Sequence, residues 1–116
     1  FYVAETGEEA KKDTEAALSW TLDMVQWRRT FQRGSEVYEK MDDWRRVRTE
    51  LPITNEHLYD QRAIIGTPDQ CVAQIKELQR HGIEYFGCNF SFGGMEQGKL
   101  LRSMKLFAKE VMPHFK

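Results

Sequence analysis

The sequence has no long apolar run, only two cysteines and almost no net charge. Roughly 18 consecutive apolar residues are needed to cross a bilayer, so the missing run argues against a membrane-spanning protein. Seventeen basic and eighteen acidic side chains leave a formal net charge of -1, which argues against the broad positive surface of a duplex-binding protein. Cys71 and Cys88 are too few for a disulfide-stapled secreted domain, so we expect a cytoplasmic protein.

Several chemical signatures are also missing. The sequence contains no Gly-rich phosphate loop of the P-loop or Rossmann type. His57, His81 and His114 lie far apart, and none has a cysteine or carboxylate at ligand spacing, so we predict no metal site. Trp and Arg residues cluster at 27–29 and 44–48, as in segments that stack on bases, but the flanking acidic residues favour solvated helix faces over nucleic-acid binding.

The residues that are present describe one domain or a piece of a larger one. The chain has 116 residues and a mass of 13.7 kDa, which fits a single domain. A hydrophobic share of 41% can form a core, while a charged share of 30% and a mean hydropathy of -0.65 indicate a helix-rich surface. The chain begins with Phe1 and carries no signal segment, which we interpret as a fragment or a processed piece.

Residues 1–34 are predicted to form a short strand and one long helix. The β-prone residues 1–4 lead into Thr6 and Glu9, whose spacing fits a capping box. Residues 8–33 contain no proline or glycine, and Gly34 is a natural end for the helix. Two apolar stripes at helical spacing predict burial on more than one side. The first stripe is Leu18, Leu22 and Val25, and the second is Trp20, Met24, Trp27 and Phe31.

Residues 35–62 are predicted to be an irregular, partly helical excursion. A charged helical stretch is expected to end at Pro52, because proline cannot continue a helix. Thr54 or Asn55 then caps one short helical turn. Long excursions of this kind typically cover a site or extend over a neighbouring element.

Residues 63–116 are predicted to contain two strand–helix units, and all three stretches together form one partial domain. The first unit is a strand at 63–65 and a helix from the Thr67 cap to His81. The second is an aromatic-rich strand at 83–92 followed by the last helix. Connections of only a few residues predict parallel strands. The apolar face expected of the last helix is Leu100, Leu101, Met104, Phe107, Ala108 and Val111.

Several runs carry a family resemblance. Residues 64–72, 82–86, 92–95, 101–108 and 110–113 resemble, in order and spacing, the C-terminal end of the bacterial luciferase-like flavin-dependent monooxygenases. Residues 2–6 and 8–10 are similar to the strand-into-helix step beyond the middle of that family's chain. The resemblance covers both ends of the sequence and is weak over residues 35–62.

The resemblance implies an α/β fold: the C-terminal fragment of a TIM-type (β/α) barrel, helix-rich, with two or three short parallel strands. For the full-length enzyme it implies FMN, or a deazaflavin, at the C-terminal ends of the strands. It also implies a monooxygenase that takes reduced flavin from a flavin reductase, activates dioxygen and oxidises a small organic substrate. The fragment alone is then expected to be inactive and to bind no flavin.

Candidate site residues follow from the predicted strand at 83–92. Its period of two would turn Asn89 and Ser91 towards the barrel interior near the carboxyl end of the strand. Gly93 and Gly94 would leave the backbone open for the close approach of a ligand. We therefore predict that Asn89, Ser91, Gly93 and Gly94 form part of the cofactor or substrate rim. The alternative is a satisfied polar pair followed by a tight turn, and no catalytic residue is identified.

A second function class stays open beside the monooxygenase. The chain could be a non-catalytic helical α/β module that associates through surfaces a barrel would bury. In either case, strand edges and the apolar faces of the long helix lack partners within the predicted elements. Such surfaces promote association, so we expect a homo-oligomer. Cys71 and Cys88 are interpreted as small buried hydrophobes.

Overall fold

The computed structural model describes residues 1–32 and 54–115. In chain order, the elements are β1 (Tyr2–Val3), α1 (Gly7–Gln32), α2 (Asn55–Gln61), β2 (Ile65–Gly66), α3 (Pro68–Arg80) and α4 (Gln97–Leu106). A π-helical turn (Phe107–Val111) and a 3₁₀ turn (Met112–Phe115) continue α4. The predicted helix end at Gly34 and the helical stretch before Pro52 lie outside the described residues.

The two strands pair in parallel. Tyr2 is opposite Ile65 and Val3 is opposite Gly66. The backbone N–H of Tyr2 donates to the carbonyl of Ile64 (2.9 Å), and that of Ala4 donates to the carbonyl of Gly66 (3.1 Å). Parallel strands need a long crossover between them, and here the crossover includes α1 and α2.

Threonine caps begin both of the helices that follow the strands. The hydroxyl of Thr6 accepts a hydrogen bond from the backbone N–H of Glu9 (3.1 Å) at the start of α1. At the start of α3, Thr67 and Gln70 form a complete capping box, with Pro68 in the first turn. These bonds satisfy N–H groups that have no partner within a helix, so both predicted helix starts are confirmed.

Helix α2 is anchored to α1 by side-chain hydrogen bonds. Its cap is Thr54, whose hydroxyl accepts from the third residue of the helix (3.1 Å). The amide nitrogen of Asn55 donates to the hydroxyl of Ser19 (2.9 Å), and the hydroxyls of Tyr59 and Thr14 lie 3.0 Å apart. The predicted short helical turn is therefore present, and it rests on the long helix.

The core lies on both faces of the β1–β2 pair. One face packs with α3 and the C-terminal turns through Val3, Cys71, Val72, Ile75 and Val111. The other face packs with α1 through Tyr2, Ala4 and Ala10, with Ile65 and Met95 beside them. Successive strand residues point to opposite faces of a sheet. Helices α1 and α3 therefore cover opposite faces of the pair.

The predicted strand at residues 83–92 is wrong, because that segment joins no strand pairing in the structure. A strand forms only where its backbone can form hydrogen bonds with the backbone of a neighbouring strand. At the edge of β1 that faces away from β2, the N–H of Val3 instead donates to the hydroxyl of Ser103 (2.8 Å). The segment reaches β1 through one bond, in which the backbone nitrogen of Phe1 donates to the carbonyl of Asn89 (2.8 Å).

The segment nevertheless keeps the two-residue alternation of its sequence. The rings of Phe86 and Phe90 pack edge-on against Phe1, with centroids 6.3 and 5.2 Å away. Phe90 also lies 5.4 Å from the ring of Phe107 in the C-terminal turns. Tyr85, in the alternate set, is 94% exposed. Phe90 therefore meets the C-terminal turns, whereas Phe86 is 41% exposed and Tyr85 is in solvent.

The first predicted stripe of α1 is better buried than the second, in which Met24 is half-buried and the tryptophans are exposed. Leu18 is buried and Leu22 is half-buried, whereas Trp20 and Trp27 are 53% and 56% exposed. The expectation of burial on two sides is wrong for these tryptophans. A sheet of two short strands is too narrow to cover more than one side of the helix. The side chain of Phe31 lies outside the described residues.

The C-terminal helical segment is rotated relative to its predicted apolar face. Ser103 and Val111 are buried, while Leu101 and Met104 are 49% and 47% exposed. The prediction is therefore correct for Val111 and wrong for Leu101 and Met104. The rotation follows from the polar bond described above, because the hydroxyl of Ser103 must face the edge of β1 to accept from Val3.

Candidate functional site

The carboxyl ends of β1 and β2 meet at one edge, where α1 and α3 begin. A cleft of about 1010 Å³ opens there, and we call it the edge cleft. It is lined by Thr6, Gly7, Glu8, Lys11, Tyr59, Asp60, Ile65, Gly66, Gln70, Ala73 and Gln74. Enzymes with parallel (β/α) barrels place their active sites at this end of the strands. The edge cleft is therefore the candidate binding site.

The floor of the edge cleft is fixed by Gln70. Its side-chain oxygen accepts a hydrogen bond from the backbone N–H of Thr67 (2.9 Å). A Cβ on Gly66 would lie 2.4 Å from that same oxygen, so a larger residue there would displace the end of the Gln70 side chain. The side chain of Gln70 thus packs directly on the last residue of β2, and it is held there by the capping box.

One wall of the edge cleft is polar and cationic. The amine of Lys11 lies 5.9 Å from the ring centroid of Tyr59, within the range of a cation–π contact. The hydroxyl of Tyr59 donates to the carbonyl of Lys11 (2.9 Å). The cleft therefore offers amide, hydroxyl and ammonium groups beside the carboxylates of Glu8 and Asp60, and these groups can bind and orient a polar molecule.

Two of the predicted rim residues, Asn89 and Ser91, lie on an exposed turn. The backbone N–H of Ser91 donates to the side-chain oxygen of Asn89 (3.1 Å), and both side chains are exposed. Asn89 lines a different cavity, of about 500 Å³, together with Phe1 and Ile64. Phe1 and Ile64 precede β1 and β2, so the structure places Asn89 near the amino ends of the strands. The edge cleft is at the opposite ends.

The other two predicted rim residues form a turn against α1. Gly93 and Gly94 have φ angles of 58° and 69°, which favour glycine. A Cβ on Gly93 would lie 2.1 Å from the carbonyl oxygen of Ala17, whereas one on Gly94 would meet no atom within 4 Å. The close approach predicted for a ligand is made at Gly93 by the backbone of α1.

The four predicted rim residues do not fit a flavin as they are arranged in this structure. Gly93 is closed by Ala17, and the side-chain oxygen of Asn89 is used within its own turn. Gly94 keeps open space beside its Cα atom. The polar pair and tight turn considered as the alternative describe the local geometry.

A buried polar network joins β1, α1 and α4, and sequence reasoning missed it. The hydroxyl of Tyr2 donates to one carboxylate oxygen of Asp13 (2.8 Å), and the amine of Lys99 lies 2.8 Å from the other. The side chain of Asp13 is 10% exposed and that of Lys99 is 31% exposed. The three residues belong to separate segments of the sequence, so no local motif predicts that they are in contact.

The network fixes the charge of its members. Burial by itself would raise the pKa of Asp13, but hydrogen bonds from Lys99 and Tyr2 hold it below the usual range. Burial raises the pKa of Tyr2, and the hydrogen bond to Asp13 raises it further. Asp13 is therefore ionised and Tyr2 neutral at physiological pH. The network ties the three elements together and holds no mobile proton.

The two cysteines have the character of small apolar side chains. Cys71 is fully buried, and its sulfur lies 3.9 Å from the carbonyl oxygen of Tyr2. Burial raises the pKa of Cys71 to about 12 and also raises the pKa of Cys88. A thiolate is the reactive form of cysteine, so neither thiol is prepared for nucleophilic chemistry.

Two kinds of feature are absent from residues 1–32 and 54–115. No helix in these ranges is long and apolar enough to cross a membrane. These ranges also contain no group of three or more His, Cys, Asp or Glu side chains placed to hold a metal ion.

Part of the chain is similar to a known enzyme. It shares 38% identity over 53 residues with the alkanal monooxygenase alpha chain of the Kryptophanaron alfredi symbiont. The matched stretch is 45% of this chain and 15% of that relative. No protein-family profile matches the sequence, and no solved structure matches it. The similarity therefore points to a luciferase-like monooxygenase through a short segment of such a protein.

Proposed function

We propose that this chain is the C-terminal portion of a luciferase-like monooxygenase. Such an enzyme uses reduced flavin and dioxygen to oxidise an organic substrate. The observation that carries the proposal is the 38% identity over 53 residues with an alkanal monooxygenase alpha chain. An alkanal is therefore the substrate to try first. Activity belongs to the polypeptide that contains the whole site, and the 116-residue chain alone is expected to be inactive.

The sheet supports a place within a larger barrel. Parallel strands are normally buried on both faces and paired on both edges. Here the described sheet has two strands of two residues each, and the outer edge of β1 is met by the hydroxyl of Ser103. Helices follow both strands, with the edge cleft between their starts. The order strand, helix, strand, helix is the repeat of a (β/α) barrel, although α1 and α3 cover opposite faces of the pair in the chain as it stands.

The cofactor rim is proposed for the complete barrel. Bound reduced FMN would supply the electrons that activate dioxygen, whereas a reduced deazaflavin would act as a hydride donor. The rim requires Asn89, Ser91 and Gly94 to lie at the carboxyl ends of the strands of the complete barrel, whereas in the chain as it stands Asn89 lies near their amino ends. Replacing Asn89 and Ser91 by alanine in the complete enzyme should weaken flavin binding or turnover. Unchanged flavin affinity and turnover would remove these residues from the rim.

Turnover by the complete reading frame around this chain tests the function. The purified polypeptide is supplied with FMN, a flavin reductase, NADH and an alkanal series, with a deazaflavin in parallel. We expect carboxylic acid formation that needs both flavin and alkanal, because one oxygen atom of dioxygen enters the aldehyde and the other leaves as water. The 116-residue chain serves as the matched control. A reading frame limited to these 116 residues, or no flavin-dependent oxidation, would overturn the proposal.

The second candidate is the non-catalytic association module. It is favoured by the contact of α1 with Gly93, which closes part of the predicted rim in the chain as it stands. A flavin titration of the 116-residue chain separates the two candidates at the level of this polypeptide. Quenching of flavin fluorescence at micromolar concentration supports retained cofactor binding. No quenching supports the module.

A further inference from the structure

We infer that a cavity at the amino ends of β1 and β2 is a binding site for a small, neutral aromatic molecule that carries a hydrogen-bonding group. The cavity has a volume of about 500 Å³ and is lined by residues from the end of α2, from α3 and from the segment 86–89. We call it the amino-end cavity. It lies at the opposite ends of the strands from the edge cleft, so the inference does not rest on the proposed function.

The amino-end cavity has the size and the apolar lining of a small-molecule site. Pockets that bind small molecules typically measure about 300–1,000 Å³ and combine apolar side chains with a few polar groups. The apolar lining residues here come from four separate stretches of the chain: Phe1, Ala63, Ile64, Leu78 and Phe86. Together they can remove the apolar surface of a ligand from water.

Phe86 gives the amino-end cavity an aromatic wall. Its ring packs edge-on against Phe1, with centroids 6.3 Å apart. Phe90 packs against both Phe1 (5.2 Å) and Phe107 (5.4 Å) and is half-buried. Phe86 lines the cavity and remains 41% exposed. An aromatic ligand in the cavity would bury this ring and add the edge-on or offset contact that aromatic pairs favour.

The polar residues of the amino-end cavity favour a neutral ligand. These residues are Asp60, Gln61, Arg62, Gln74, Glu77 and Asn89. The charge of Glu77 is offset by its ion pair with Arg80. Asp60 and Arg62 have opposite charges, so the lining has no excess charge to attract an ion. The side-chain amides of Gln61 and Gln74 can donate to and accept from a neutral polar group, whereas a charged group would lose its hydration without a matching partner.

Backbone hydrogen bonds fix two walls of the amino-end cavity. The backbone nitrogen of Phe1 donates to the carbonyl of Asn89 (2.8 Å), which ties the segment 86–89 to the start of β1. The N–H of Ile83 donates to the carbonyl of Leu78 (3.1 Å), which ties the start of the same loop to α3. The cavity is therefore formed before a ligand enters, and little conformational entropy is lost on binding.

Binding of 2-naphthol to the 116-residue chain tests the inference. This probe has two fused aromatic rings and a hydroxyl that is neutral at pH 7. Calorimetric titration should give saturable binding, and 2-naphthoate, which is negatively charged, should bind about fivefold more weakly or worse. Nuclear magnetic resonance shifts should change at Ala63, Leu78 and Gly87, and not at Gly66 and Ala73 in the edge cleft. No saturable binding, equal binding of 2-naphthoate, or shifts confined to the edge cleft would overturn the inference.

Two adjacent aromatic residues supply the matched variants. Phe86→Ala removes the aromatic wall and should raise the Kd of 2-naphthol about tenfold. Tyr85→Ala is the control, because Tyr85 is 94% exposed and does not line the cavity, and it should change the Kd by less than about twofold. Phe86→Leu keeps an apolar side chain without the ring, so it decides the question if Phe86→Ala unfolds, and it should also weaken binding. A folded Phe86 variant with the affinity of the wild-type chain would overturn the assigned site.

Discussion

The backbone N–H of Val3 and the hydroxyl of Ser103 form a buried hydrogen bond of 2.8 Å across 100 residues of sequence. Val3 is at the edge of β1 that faces away from β2, where a further strand would normally supply a carbonyl. A side chain of α4 takes the place of that strand. This single bond ties the first element of the chain to the last helix.

Removing the hydroxyl of Ser103 should destabilise the chain. In Ser103→Ala, the buried N–H of Val3 loses its acceptor, which costs about 1–3 kcal/mol of unfolding free energy. Urea denaturation followed by circular dichroism measures the change. Ser91→Ala is the matched control, because Ser91 is exposed and the change should stay within about 0.5 kcal/mol. Equal effects of the two substitutions would show that the bond to Val3 contributes nothing.

Asp13→Asn should also destabilise the chain. The substitution removes the charge that pairs with Lys99 and accepts from Tyr2, so we expect a loss of about 2 kcal/mol. Asp23→Asn, at an exposed position on the same helix, should change stability by less than about 0.5 kcal/mol. The two midpoints are compared in urea at neutral pH. A similar midpoint for both variants would contradict the role assigned to Asp13.

The contribution of Asp13 should depend on pH in a defined direction. Its folded-state pKa lies below the ordinary value of 3.8, so its stabilisation is fully present above that value and is lost as pH falls through the folded-state pKa. The difference in stability between the wild-type chain and Asp13→Asn should therefore stay constant near neutral pH and shrink below about pH 4. Urea midpoints of both proteins across this range measure it. A difference that grows in acid would reverse the assigned sign.

The raised pKa of Tyr2 acts in the alkaline range. Its folded-state pKa exceeds the ordinary value of 10, so its stabilisation is present below pH 10 and is lost as pH rises above that value. The stability of Tyr2→Phe should therefore fall less steeply with rising pH than the stability of the wild-type chain. Thermal midpoints of the two proteins in alkaline buffers provide the comparison, and parallel curves would count against the buried hydroxyl as the cause.

The loss of stability should differ in a fixed order among three glycine-to-alanine substitutions. Gly93→Ala places a Cβ against the backbone of Ala17 at a φ of 58°, so we expect a loss of about 3 kcal/mol or more. Gly94→Ala has open space at a φ of 69° and should lose about 1 kcal/mol. Gly87→Ala has open space and no positive φ, and should be nearly neutral. Denaturant midpoints test the order, which fails if Gly94→Ala is the most damaging.

Self-association of the chain is a further expectation. Leu101 and Met104 are spaced three apart on α4, and both are about half exposed, as is Trp20 on α1. Exposed apolar stripes of this kind favour association. Light scattering at high concentration should give a multiple of 13.7 kDa. Replacing Leu101 and Met104 by glutamine should lower the mass, while Lys105→Gln should not. A monomeric mass for the wild-type chain would contradict the prediction.

Local features of the fold were predictable from the sequence. The helix starts at Thr6 and Thr67 follow from hydrogen bonds between residues three apart, so a few neighbouring letters contain the whole signal. The cap at Thr54 follows the same rule. The turn at Gly93 and Gly94 was marked by its residues, because positive φ angles favour glycine.

Long-range contacts were not predictable in this way. The pattern at residues 83–92 is that of a strand, but pairing depends on which backbone lies beside it, and Ser103 meets the edge of β1. The network around Asp13 joins residues from three elements, and the sequence around each residue does not predict its partners. The sequence marked Gly93 as a point of close approach. Only the structure identifies Ala17 as the group that approaches.

The π-helical turn at Phe107–Val111 gives the C-terminal helical segment some tolerance in length. In a regular α-helix, Leu106 and Val111 would point about 140° apart, whereas the wide turn lets both contact the same core. Deleting the exposed Ala108 would leave them four positions apart, about 40° around an ordinary α-helix. Variants of this chain that are one residue shorter at this point can therefore keep the same hydrophobic contacts.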